Sequence, residues 1–76
     1  MLQVTVLSPT SILFQGQVKS VILPGEQGVF EVLPFHKRMA SRLLQGNISI
    51  DGQLFSIRRG IMKVEKNEVS IVIEPN

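Results

Sequence analysis

Side chains able to do covalent or acid–base chemistry are sparse in this chain. It has one histidine, His36, and no cysteine. Nucleophilic catalysis needs a nucleophile, a base and a group that orients the base. Serines are present, but none stands in a G-x-S-x-G elbow, and His36 falls in a predicted loop. The simpler reading is a loop histidine at a surface or interface. The six acids are Glu26, Glu31, Asp51, Glu65, Glu68 and Glu74. They form no cluster with metal-ligand spacing. Asp51 is better explained as a turn residue, and Glu65 and Glu68 flank one predicted hairpin as solvated surface. Gly16, Gly25 and Gly28 make neither a G-x-G-x-x-G nor a Walker pattern. Gly25-x-x-Gly28 reads as a turn between strands. The sequence calls for no catalytic residue, no metal and no cofactor.

Binding of single-stranded nucleic acid is the alternative class, because small β-barrels do it with aromatic platforms above basic grooves. There are four Phe and no Tyr or Trp. Phe14, Phe30 and Phe55 each sit among apolar strand residues and read as core, leaving Phe35 as the exposed aromatic. Arg58-Arg59 reads as a rim pair, with one arginine on each face of a strand unless Gly60 bends it. The net charge of +2 is mild, without the dense basic stripe of a nucleic-acid binder.

The elements that must position these residues are strands. At 76 residues, 43% hydrophobic and 18% charged, the chain has globular composition and room for one domain, residues 1–76. It lies near the lower size limit for a self-sufficient core. No apolar run reaches the roughly 18 residues that span a bilayer, and no signal peptide is visible. Residues 2–7 alternate with period two. Ser8-Pro9-Thr10-Ser11 is a turn cluster. Ile12-Leu13-Phe14 starts a second strand, with Gly16 marking a bulge or turn before a third strand, Val18 to Leu23. Lys37 to Gln45 has apolar spacing that suits a short helix stopped by Gly46, with an irregular strand as the competitor. Asn47 to Ile50 and Gln53 to Arg58 flank Asp51-Gly52, the pair a type I′ hairpin turn favours. Gly60 breaks that run. Ile61 to Glu65 and Glu68 to Glu74 flank the turn Lys66-Asn67. About eight to ten short strands joined by tight turns predict an all-β fold, a small antiparallel β-sandwich or flattened barrel.

The densest punctuation lies in Leu23 to His36, LPGEQGVFEVLPFH. Pro24-Gly25 reads as a turn pair closed by Gly28. Val29 to Leu33 is a short strand, and Pro34 ends its pairing. This unit presents two tips, Glu26-Gln27 and Phe35-His36.

The ordered run Ser8-Pro9, Leu13-Phe14, Gly16, Val18, Ser20-Val21, Leu23-Pro24-Gly25, Gly28, Phe30, Val32-Leu33-Pro34 and His36 resembles the amino-terminal β-sandwich of the epsilon subunit of F-type ATP synthase. Arg59-Gly60-Ile61, Val64, Asn67 and Val69 continue the match to about Glu74. Two departures stand out. The family pattern has Ala-Pro after the histidine where this chain has Lys37-Arg38. The chain also stops at Asn76, where many relatives continue into a two-helix carboxyl-terminal domain. The resemblance is to a short form without those helices, either naturally short or cut from a longer chain, and their inhibitory and ATP-sensing functions are not carried over.

The resemblance implies a non-catalytic rotor subunit of the central stalk in a proton-translocating synthase. It would be peripheral on the cytoplasmic face of a bacterial membrane. Its implied partners are the gamma subunit and the c-ring, and through them the alpha/beta catalytic head. Carried over by position, Glu26, Gln27, Gly28, Val29, Phe35 and His36 would face the c-ring. Ser8, Ser41 and Arg42 would lie near gamma.

Overall fold

The computed structural model describes all residues from Met1 to Asn76. Its strands are β1 (Leu2–Leu7), β2 (Ile12–Val18), β3 (Val21–Gly25), β4 (Gly28–Val32), β5 (Met39–Leu43), β6 (Gly46–Ile50), β7 (Gln53–Glu65) and β8 (Glu68–Pro75). They hydrogen-bond in the order β2-β1-β8-β7-β5-β3-β4, with β6 pairing β7 and β3. Every pair is antiparallel except β1 with β8, which is parallel. β7 is the spine. Along one edge it pairs first with β6 and then with β5, and its other edge carries β8.

The inner residues form one core of Val, Ile, Leu and Met contributed by all eight strands. Alternation puts Leu2, Val4 and Val6 inside from β1, and Val69, Ile71 and Ile73 inside from β8. Burying such a side chain stabilises the fold by about 1.5–3 kcal/mol, so one face of each strand decides its register. Phe14 and Phe55 meet edge to face, with centroids 6.3 Å apart and planes at 70°. Their strands are not neighbours in the sheet. The contact therefore closes the roll across its interior.

The structure corrects several local expectations. Gly16 makes no break: it lies within β2, opposite Val4. The break falls at Lys19-Ser20, which lie between β2 and β3. Two residues between Val18 and Val21 reset the alternation, so Val18, Val21 and Leu23 all point inward while Ile22 is exposed. Asp51 holds that reset. Its carboxylate accepts Lys19 N–H at 3.0 and 3.1 Å and Ser20 N–H at 3.0 Å, and its own N–H donates to Ser20 O.

Pro24-Gly25 belongs to β3 and is not the turn. The tip is Glu26-Gln27, between the paired Gly25 and Gly28, and Gly28 takes φ 119° there. Pro24 lacks an N–H, but its carbonyl accepts Leu44 N–H at 2.8 Å. Phe30 lies across Gly25, where an added Cβ would meet the ring edge at 2.6 Å.

Lys37 to Gln45 holds no helix. Met39 to Leu43 pair with Val64 to Gly60 of β7, and Gly46 opens β6. A nine-residue helix is marginal in water, whereas this strand gains a ladder and buries Leu43. Nor does Gly60 interrupt β7, which runs 13 residues. The irregularity lies between Ile57 and Arg59, a bulge at Arg58 that leaves both arginines exposed. Gly60 has a different role. A Cβ there would stand 2.6 Å from Val72 O and 2.9 Å from Ile73 Cγ2, so the missing side chain admits β8.

Gly60→Ala is expected to destabilise the fold by about 1–3 kcal/mol, because the clash is with backbone. Gly25→Ala should cost less, since a ring can move. Urea unfolding of the two variants checks the order, and equal losses would contradict it.

Candidate partner-docking surface

The expected c-ring-side and gamma-side residues lie on three parts of the surface. A groove collects most of them. The β3–β4 tip, Glu26, Gln27, Gly28 and Val29, lines one part, and His36, Ser41 and Arg42 line another together with Ile61 and Val72 from β7 and β8. Phe35 and Ser8 lie outside it. The groove exists because β3 touches β5 at only one register pair, Gly25 with Leu43, so the hairpin tip stands free along β5. Val29 is 73% exposed on this tip.

The second part is the loop after β4. Leu33 to His36 form a turn in which His36 N–H donates to Leu33 O at 3.2 Å. Phe35 is 88% exposed. His36 Nδ1 lies 2.7 Å from Lys37 O, and since a carbonyl can only accept, this ring nitrogen donates. No serine, acid or second histidine contacts it in the hydrogen-bond network, and no His/Cys/Asp/Glu cluster of metal-binding size is present. Arg38 pairs loosely with Glu65, at 3.6 Å.

The third part was missed by sequence reading. Register carries one outward row across the sheet. Arg42 of β5 pairs with Ile61 of β7, Ile61 with Val72 of β8, Val72 with Leu7 of β1, and Leu7 with Ile12 of β2. Ile61 and Ile12 are 58% and 61% exposed. The neighbouring outward row, Ala40, Lys63, Ser70, Thr5 and Gln15, is largely polar. A single apolar stripe therefore crosses an otherwise polar face. Of the three expected gamma-side residues, Arg42 stands at one end of the stripe and Ser8 follows Leu7 in the chain, whereas Ser41 pairs with buried Met62 and lies on the opposite face of β5. The available signal was a broken alternation: Leu7 follows Val6, and Val72 lies between Ile71 and Ile73. Only the strand order aligns these irregularities.

Phe14, Phe30 and Phe55 pack half-buried against the core. They form no exposed coplanar row, the arrangement a single-strand platform needs. Beyond the bulge, Arg59 Nε donates to Glu74 Oε2. This hydrogen bond holds Glu74 below the usual carboxylate range, with the Arg59 and Arg58 charges adding to the effect, and raises Arg59.

These features define a strand-built domain that presents preformed tips and an apolar stripe. The chain belongs to the family of the ATP synthase Delta/Epsilon chain β-sandwich domain, whose model matches residues 1–75. Among curated relatives, it is similar to the ATP synthase epsilon chain of Nitratiruptor, 40% identical over 96% of this chain and 60% of that one. It also matches the epsilon chain of Leptospira interrogans, 34% identical over 96% of this chain and 61% of that one. The chain thus spans about 60% of the length of these relatives. A chain in the Tetrahymena thermophila mitochondrial ATP synthase central stalk/c-ring structure shares the fold, with TM-score 0.82 at 15% identity over 96% of this chain and 63% of that one. One in the Euglena gracilis mitochondrial ATP synthase shares it at TM-score 0.87 and 19% identity, over 95% of this chain and 49% of that one.

The depressed Glu74 pKa gives a pH test. A lowered folded-state pKa contributes stability present above the unfolded value and lost as pH falls through the folded value. Arg59→Ala should return Glu74 to the ordinary carboxylate range and flatten the acid-side loss of stability. NMR titration of the Glu74 carboxyl carbon in both proteins measures this, and an unmoved midpoint would contradict it.

Proposed function

We propose that this chain is a non-catalytic central-stalk subunit of an F-type ATP synthase. As a single domain, residues 1–76, it couples the gamma subunit to the c-ring of a proton-translocating complex. It acts at the cytoplasmic face of a bacterial membrane, which it meets only through the complex, and it reaches the alpha/beta catalytic head indirectly. Family membership supports the complex. The observation that carries the gamma side of this reading is the apolar stripe Ile61–Val72–Leu7–Ile12, with Arg42 at one end; its Ile61 and Val72 adjoin the Glu26–Val29 tip in the groove, while Leu7 and Ile12 lie beyond it.

In this reading gamma covers the stripe. Apolar contact at the centre with polar residues at the ends is the anatomy of a stable interface. The c-ring receives the tips: Glu26, Gln27, Gly28 and Val29 from the hairpin, and Phe35 and His36 from the loop. Charged and polar tips orient the encounter and make it salt-sensitive. Torque passes through such a block without chemistry, so what matters is stiffness. A continuous hydrogen-bonded sheet with two turns fastened by side chains supplies it.

Ile61→Asp combined with Val72→Asp places charge on the stripe without touching the core. It should weaken gamma capture by about tenfold or more, near 1.4 kcal/mol, and c-ring capture by the isolated chain to a smaller extent. Reversing Lys37 and Arg38 to Glu should do the opposite. Pull-down with purified gamma and with detergent-solubilised c-ring reads both. Full gamma binding by the double Asp variant would remove the stripe from the interface. Unchanged c-ring co-purification after charge reversal would count against that loop.

A further inference from the structure

The loop after β4 contains a backbone outlier. In the turn Leu33–His36, Phe35 occupies the third position with φ 67°. A type II turn needs positive φ there and normally takes Gly or Asn. A bulky aromatic in that region is a steric outlier, and here its ring is also 88% exposed. Such a residue persists when its surroundings over-determine it.

Asn67 is the determinant. Its Oδ1 accepts Phe35 N–H at 2.7 Å, across 32 residues of sequence. Asn67 is itself fixed, at φ 62° beside Lys66 at φ 52°, and its backbone O accepts Gln3 N–H at 2.8 Å. The β7–β8 turn therefore carries an acceptor anchored to β1 and aimed at the loop. The adjoining Arg38–Glu65 pair reaches the same hairpin.

We propose that Asn67 is the positioning residue of the docking loop: its amide oxygen holds Phe35 in the left-handed conformation that projects the ring from the body of the domain. This rests on the reading of Phe35-His36 as partner-facing and deepens it. An aromatic anchor with two χ angles, on a backbone already ordered, loses little entropy on binding. Lys37 and Arg38 follow it in sequence, so the matching surface is an apolar recess with a polar or acidic rim.

The test uses Phe35→Ala, Asn67→Gly and Asn67→Asp in the full chain, with purified c-ring in detergent as the probe. Gly keeps positive φ but removes the acceptor; Asp keeps both. Asn67→Gly is expected to speed hydrogen exchange at the Phe35 amide by about tenfold, the loss of one good hydrogen bond. Exchange at Val69 and Ile71 should not change. It should also weaken c-ring capture as Phe35→Ala does, and Asn67→Asp should restore both readouts. If Phe35→Ala weakens capture while Asn67→Gly does not, the positioning role is overturned and the docking loop stands. If Phe35→Ala leaves capture intact, the loop does not dock and the proposal falls with it.

Discussion

The architecture depends on the side chain of Asp51 reaching across 31 and 32 residues to the backbone of Ser20 and Lys19. Those N–H groups sit where β2 ends and β3 has not begun, so no ladder satisfies them. A carboxylate is a strong acceptor for such donors, and Asp51 is placed by its own turn, at φ 48° with Gly52 at 89°. The bend it secures returns Val21 and Leu23 to the core after Val18 and directs β3 towards β5 and β6. If the chain instead ran straight through Lys19 and Ser20, Ile22 would turn inward and Val21 outward, and the hairpin that carries Glu26-Gln27 would leave β5. The geometry of the surface thus begins with a core-register decision.

A second long reach repeats the device at the other end. Asn67 does for the loop at Phe35 what Asp51 does for the bend: a side chain in a positive-φ two-residue turn supplies an acceptor to irregular backbone elsewhere. In a domain of 76 residues without disulfides, such side-chain staples stand in for covalent ones. Both residues are of the type that tolerates left-handed φ and can still accept a hydrogen bond. They close turns and stiffen surfaces together.

Much of the fold was legible because strand patterning is local. β1, the Asp51-Gly52 and Lys66-Asn67 turns, and the inward set Val69, Ile71 and Ile73 follow from alternation and turn chemistry alone. The misreadings share a cause, since each involved a residue whose role is set by a distant strand. Gly60 looked like a breaker, yet it is glycine because Val72 O approaches. Pro24-Gly25 looked like a turn, yet Gly25 lies beneath Phe30 within a strand. Met39 to Leu43 had helical spacing, but β7 offered a ladder. The candidate surface followed the same rule. The tips were legible from their punctuation. The apolar stripe was not, because Arg42, Ile61, Val72, Leu7 and Ile12 become neighbours only once four strand registers are known.

The proposal to test is that one rigid domain serves two neighbours through preformed surfaces. Hydrogen-exchange mass spectrometry of the chain, free and then assembled with gamma and c-ring, tests it most directly. Added protection is expected in three places: the segments carrying Leu7, Ile12, Ile61 and Val72; the tip Glu26 to Val29; and the loop at Phe35-His36. The core strands around Val4 and Ile48 should exchange alike in both states. Protection confined to one surface, or a core that tightens only on assembly, would contradict it.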